Sequence, residues 1–379
     1  MSVAALPELP YFDEDLRGPR FREVMRELSA ESWLATSPLA LFVLEREAGE
    51  FFLRSRSTAF PGERVAEIYG IEDGALREQI DTNILHLHGE AHSRLRGTVN
   101  HAFTPKAAGA WRPVMRDFIN GILDGHDGSN ACEAVEAICK PYPAMTIARV
   151  LGAPVEDAPR LAGWSNWIQK QFSFDFQEHR GTVEAACAEL YAYLDELVAE
   201  GREGLVKTLS EELQDRELVN LVLNVLVGGV DTTQSQLAQA LRLFAEHPEQ
   251  WELLRDEPER VPDAVQAVLH HEPITPFTAR ICLEDLEFRG VAFPKNTMLM
   301  VWAGASETFD ITAPPKARPL AFGAGIHFCL GYNLARAELE EALTALAPRM
   351  PGLALDGPVA YDSIHGIYGI DALPIRWTA

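Results

Sequence analysis

The chain has 379 residues, is 47% hydrophobic, and carries 33 basic against 56 acidic side chains for a net charge of −23. That length allows one large domain or two, that apolar content allows a substantial core, and that charge argues against nucleic acid and anionic membrane as partners. No apolar run is long enough to cross a bilayer, and residues 1–17 hold prolines and acids without a basic stretch ahead of an apolar one, so a soluble, cytoplasmic protein is expected. Five scattered cysteines, Cys132, Cys139, Cys187, Cys282 and Cys329, make a disulfide framework an unsuitable reading. Cys132 and Cys139 lie seven apart and could share a helix face.

In chain order, residues 18–30 read as a helix. Residues 33–59 place Leu41, Val43, Leu44, Phe51, Phe52 and Leu53 around turn residues, which suits a small sheet. Residues 60–87 mix glycine, proline and charge and read as a long loop with short helices. Residues 88–270 are rich in alanine and leucine and read as mostly helical, with breaks at Pro105, Pro141, Pro154 and Pro248. Short strand signals follow at 278–282, Leu286–Phe288 and Met298–Trp302, a β part spanning 271–302. A helix is expected over 330–348 and strands with turns over 353–377. The fold expected is mainly α with a minor β region, as a single domain over 1–379.

Three stretches carry chemistry. His92 and Arg96 lie four apart, so a helix would present both on one face, able to grip a carboxylate. Residues 217–245 are apolar almost all round before Gly228, Gly229, Asp231 and Thr232. Two glycines inside a helix cost about 1 kcal/mol each relative to alanine, so a reason is expected, such as a flat cofactor lying against the helix. Thr232 can bond a backbone carbonyl there. The other reading ends one helix at the glycines and lets Asp231 cap the next. Finally, residues 322–331 set Phe322, Gly323, Gly325, His327, Cys329 and Gly331 at fixed offsets just before a helical pattern. A helix N-terminus lowers a thiol pKa, and glycines let backbone approach the sulfur closely.

Residues 322–331 resemble the haem-binding loop of the cytochrome P450 superfamily, of the soluble bacterial type. The resemblance covers nearly the whole chain and implies an α-rich fold with a long central helix over haem b. It implies Cys329 as the thiolate ligand of iron, in the setting of Phe322 and Gly323. It implies Gly228 and Gly229 as the cofactor-facing part of the central helix, Asp231 as proton relay, and Thr232 as the group that stabilises an iron-bound hydroperoxide. It implies His92, Arg96, Arg280 and His327 as ligands of the haem propionates. The family's Glu-x-x-Arg pair falls at Ala267 and His270, and the third member of its ion network falls near Ala313, so all three are absent. The connection over 302–309 is shorter than the family's. Glu272 is near but out of register with the pair.

The function implied is a monooxygenase inserting one atom of O₂ into a small or medium apolar organic substrate. No flavin or nicotinamide fingerprint is present, so an external ferredoxin and ferredoxin reductase are expected to supply electrons; Lys316, Arg318 and Arg336 could receive an acidic partner. The alternatives are a haem-thiolate enzyme of another class (peroxide-driven oxidation, oxidative coupling, dehydration or rearrangement) and a non-catalytic haem or ligand-binding protein. Substrate-facing segments are expected at 61–87, at 164–176 with Trp164, Trp167, Phe172, Phe174 and Phe176, at 274–277, and around Ile367 and Tyr368.

Overall fold

The computed structural model describes residues 6–126, 128–173 and 175–378; Phe174 lies outside the described residues. Helices dominate and the sheets are small. The central helix, Asp215–Glu246, is 32 residues long. Leu218, Val222, Leu223, Leu226, Val230, Leu237 and Leu241 are all buried along it. A helix apolar on every side has to be enclosed on every side, and the helices Pro141–Leu151, Ala158–Gln169, Phe176–Glu200 and Tyr332–Arg349 surround it. Pro105, Pro141 and Pro248 each begin a helix. At that position the missing N–H would have had no intrahelical partner, and the fixed φ suits the first turn.

The main sheet runs in the order Leu34–Thr36, Leu41–Val43, Met298–Trp302, Phe277–Cys282, Thr58–Ala59. Leu41–Val43 is parallel to Met298–Trp302, and the other pairings are antiparallel. The register sets Arg280 opposite Leu299, on the same strand face as Thr278 and Cys282 by the two-residue period. The three later strand expectations correspond to Phe277–Cys282, Leu286–Phe288 and Met298–Trp302, and the C-terminal strands pair in two further small sheets. Among the described residues, no helix is long and apolar enough to cross a membrane.

Three local expectations are corrected. Phe51, Phe52 and Leu53 belong to a helix, Arg46–Arg54, rather than to the sheet. Ala48 and Phe52 are buried four apart, and Arg46 and Glu50 pair four apart at 2.9 Å on the outer face, which is a helical period. Ala131–Glu133, inside the stretch read as helical, is a strand that pairs with Pro374–Arg376; its partner comes from the other end of the chain and leaves no local signal. Cys132 therefore sits on a strand and Cys139 at the end of the short π-helix Val135–Cys139, not on one helix face.

Candidate active site

The cysteine loop is two single helical turns, Leu320–Phe322 and Gly325–His327, joined by left-handed backbone. Gly323 has φ +68° and Gly325 φ +72°, values that favour glycine. A Cβ on Gly325 would also lie 2.9 Å from the Leu53 carbonyl oxygen, so the loop rests directly on the end of the helix Arg46–Arg54. The Cys329 N–H donates to the Phe322 carbonyl at 2.8 Å and closes the loop. The following helix, Tyr332–Arg349, starts two residues later than expected, and the N–H groups of Gly331 and Tyr332 reach the Cys329 sulfur. Removal from water nonetheless raises the thiol above its ordinary value; those two N–H groups and Arg96 only partly offset it. The N–H groups at the helix start lower the thiol pKa as expected, but burial outweighs them. A cation bound at the sulfur would reverse the balance, since a coordinating thiol is deprotonated.

Beside the loop, four basic groups converge from three elements. His92 and Arg96 lie on the helix Gly89–Asn100, Arg280 on its strand and His327 in the loop. The His92 and His327 rings stand 4.4 Å apart edge to face. Arg96 donates from Nη2 to the Phe328 carbonyl at 2.6 Å and from Nε to Asn100 Oδ1 at 2.8 Å. Arg280 is 2% exposed, and its guanidinium reaches the Ala279 carbonyl at 2.8 Å; among the described residues no carboxylate pairs with it. Desolvation holds Arg280 down at about 10. Desolvation, then His92, Arg280 and Arg96, hold His327 down at about 3. His92 Nε2 and His327 Nδ1 are buried without a hydrogen-bond partner. Buried charges are ordinarily paired and buried polar atoms bonded, so an acid-free basic cluster is incomplete as it stands. Two carboxylates of a haem would complete it, and the residues fit that group.

The central helix runs unbroken through Gly228 and Gly229, which removes the reading of two helices with Asp231 as a cap. The glycines answer to different surfaces. A Cβ on Gly229 would lie 2.7 Å from Ile147 Cδ1, so a side chain there would have to displace the end of Ile147; a Cβ on Gly228 meets nothing within 4 Å. The open side of the helix at this point is therefore at Gly228. Thr232 Oγ1 donates to the Gly228 carbonyl at 2.7 Å. Asp231 is pushed up to about 7, first by removal from water and then by Asp362, with Lys170 and Lys140 acting the other way. Lys170 Nζ holds Asp362 at 3.0 and 3.1 Å.

Sequence reasoning missed Glu338. It lies on the helix that follows the loop, 2% exposed, and accepts the Thr233 hydroxyl at 3.2 Å. Burial pushes it up to about 8. Its signal was an acid inside the apolar run Leu334, Ala337, Leu339 and Ala342. The basic patch is smaller than expected: Lys316 and Arg318 are exposed, but Arg336 pairs with Glu340 at 3.3 Å. Among the expected substrate-facing aromatics, Trp164 is buried and donates to Glu189 at 2.8 Å, and Phe176 and Tyr368 are buried in the core. Ala267 is buried, Ala313 is exposed, and Glu272 is engaged elsewhere, at 2.6 Å from Arg242 and 3.1 Å from Arg22.

The family model described as Cytochrome P450 matches residues 156–308, ending in the short connection before the cysteine loop. Luteothin monooxygenase of Streptomyces thioluteus is 33% identical, over 98% of this chain and 97% of its own. Nocardicin C N-oxygenase of Nocardia uniformis subsp. tsuyamanensis is 35% identical, over 73% of this chain and 74% of its own. The crystal structure of CalO2 superimposes with a TM-score of 0.90 at 26% identity, covering 98% of this chain and 99% of that one.

Proposed function

We propose, from the premise that this chain belongs to the cytochrome P450 family, that it inserts one atom of O₂ into a small or medium apolar organic substrate in the cytoplasm, fed by an external ferredoxin and its reductase. Members of this family are monooxygenases whose haem iron takes a cysteine thiolate. In our reading Cys329 is that ligand, and His92, Arg96, Arg280 and His327 hold the propionates. The thiolate-ligated haem supplies O₂ binding and O–O cleavage when bound. The single observation that carries the assignment is the acid-free basic cluster standing directly beside Cys329.

The remaining chemistry falls to side chains of the central helix. Asp231, poised near neutral pH, carries a proton toward the open face at Gly228. Thr232, anchored to the Gly228 carbonyl, presents its hydroxyl oxygen as a hydrogen-bonding group at that face. Lys170 and Asp362 set the field in which Asp231 titrates. Lys316 and Arg318 offer exposed positive charge near the loop for an acidic electron donor.

As a donor, Asp231 must hold its proton, so coupled turnover is full below about pH 7 and declines above it. Asp231→Asn should lower turnover by about 10²–10⁴-fold and erase that decline. The assay is product formation and NAD(P)H consumption across pH, with ferredoxin, reductase and a substrate chosen by a spectral binding screen. An unchanged profile in the variant contradicts the role. The missing ion network and shortened connection favour a second reading, a peroxide-driven or other haem-thiolate reaction. Turnover with peroxide alone and none with ferredoxin would establish that reading instead.

A further inference from the structure

The segment leading into the cysteine loop has neither helix nor strand to hold it. Residues 312–319 form turns and irregular backbone, and Lys316, Ala317 and Arg318 are exposed. Carbonyls in such a stretch have no ladder partners and need others. Side chains supply them here. Gln266 Nε2 donates to the Pro315 carbonyl at 2.9 Å and to the Ala317 carbonyl at 2.8 Å, using both amide hydrogens. His270 Nε2 lies 2.8 Å from the same Ala317 carbonyl. A carbonyl only accepts, so Nε2 carries the proton. Arg46 Nη2 donates to the Arg318 carbonyl at 2.8 Å.

Gln266 and His270 sit four apart on the helix Val261–His271, one above the other on one face. The same helix end holds the other side of the shortened connection, where the Ser306 N–H donates to the His270 carbonyl at 2.8 Å. From Arg318 the tie continues to the cysteine loop: its guanidinium lies 5.2 Å over the ring of Phe328, the residue before Cys329. Where the family resemblance leads to the expectation of a charged pair, this helix offers an amide and an imidazole.

We propose that Gln266 and His270 are positioning residues that form an uncharged brace, holding residues 315–318 and through them the cysteine loop in the geometry that keeps Cys329 on iron. The inference rests on the reading of Cys329 as the haem ligand. It gives positions Ala267 and His270 a new division of labour: the buried alanine packs, and the tether shifts one residue back and takes His270 as its second member.

The test uses the full-length holoenzyme and the reduced, carbon-monoxide-bound spectrum, which separates thiolate-ligated haem from the form that has lost the thiolate. The double variant Gln266→Met, His270→Phe removes all three donors while nearly keeping volume. It should lose its thiolate-type band about tenfold or more faster than wild type on mild warming, as expected for two or three modest hydrogen bonds. Variant His270→Gln, which keeps a donor, should lose it no more than a few-fold faster. Far-UV circular dichroism establishes that each variant folds, and total haem content is followed alongside. A double variant whose thiolate band persists as in wild type overturns the brace. So does a His270→Gln variant as labile as the double. A wild type lacking the thiolate band would overturn the underlying cofactor reading, a result distinct from either.

Discussion

Two buried arginines in this chain have the same side chain and nearly the same enclosure, and they titrate in opposite directions. The Arg242 side chain is 4% exposed and reaches Glu272 at 2.6 Å, Glu246 at 2.5 Å and Gln239 at 2.9 Å. Its pKa is raised: Glu272 and the other negative partners outweigh desolvation. Arg280 is 2% exposed and has only its neighbour's carbonyl, so desolvation acts on it unopposed. A guanidinium stem buries well when its charge is answered. The first network ties the central helix, through Glu272 and Arg22, to the helix Gly18–Glu31 and to the C-terminal end of the helix Val261–His271. The second is missing its anions. Completeness marks structure, and incompleteness marks a place where something from outside belongs.

Breaking each network should separate the two roles. Arg242→Met leaves Glu272 short of its closest partner and should cost about 3–5 kcal/mol of folding stability with or without haem, read by thermal or denaturant melting. Arg280→Met removes a charge that folding alone does not use. The apoprotein should melt no lower than wild type, whereas haem retention should weaken by about 10–100-fold, the worth of charge-assisted hydrogen bonds to a propionate. Transfer of haem to an excess of an apo-haem scavenger measures it. An apoprotein as destabilised by Arg280→Met as by Arg242→Met would erase the distinction.

The same contrast explains what could be read from residues alone. The cysteine loop was legible because its glycines are local necessities: Gly323 and Gly325 take left-handed backbone in place. The helix starts at Pro105, Pro141 and Pro248 were legible for a similar reason, since proline acts within its own turn. The enclosure of the central helix was legible from apolar residues on every side. What failed depended on partners far along the chain. The strand Ala131–Glu133 exists because Pro374–Arg376 lies beside it. The contact between Gly229 and Ile147, on the helix Pro141–Leu151, likewise could not be read from the residues around Gly229. The absence of the family's ion network was visible, but what stands in its place, Gln266 and His270 on the carbonyls of Pro315 and Ala317, required the fold. Arg280 could be singled out by resemblance, but its lack of an acid could not.

The account turns on Cys329 as the one protein ligand of a haem iron. The most direct measurement is the reduced, carbon-monoxide-bound spectrum of the purified, haem-loaded protein beside that of Cys329→Ser. The account predicts a thiolate-type Soret band in the wild type and its loss in the variant; a wild type without that band, or a variant that retains it, would contradict the account.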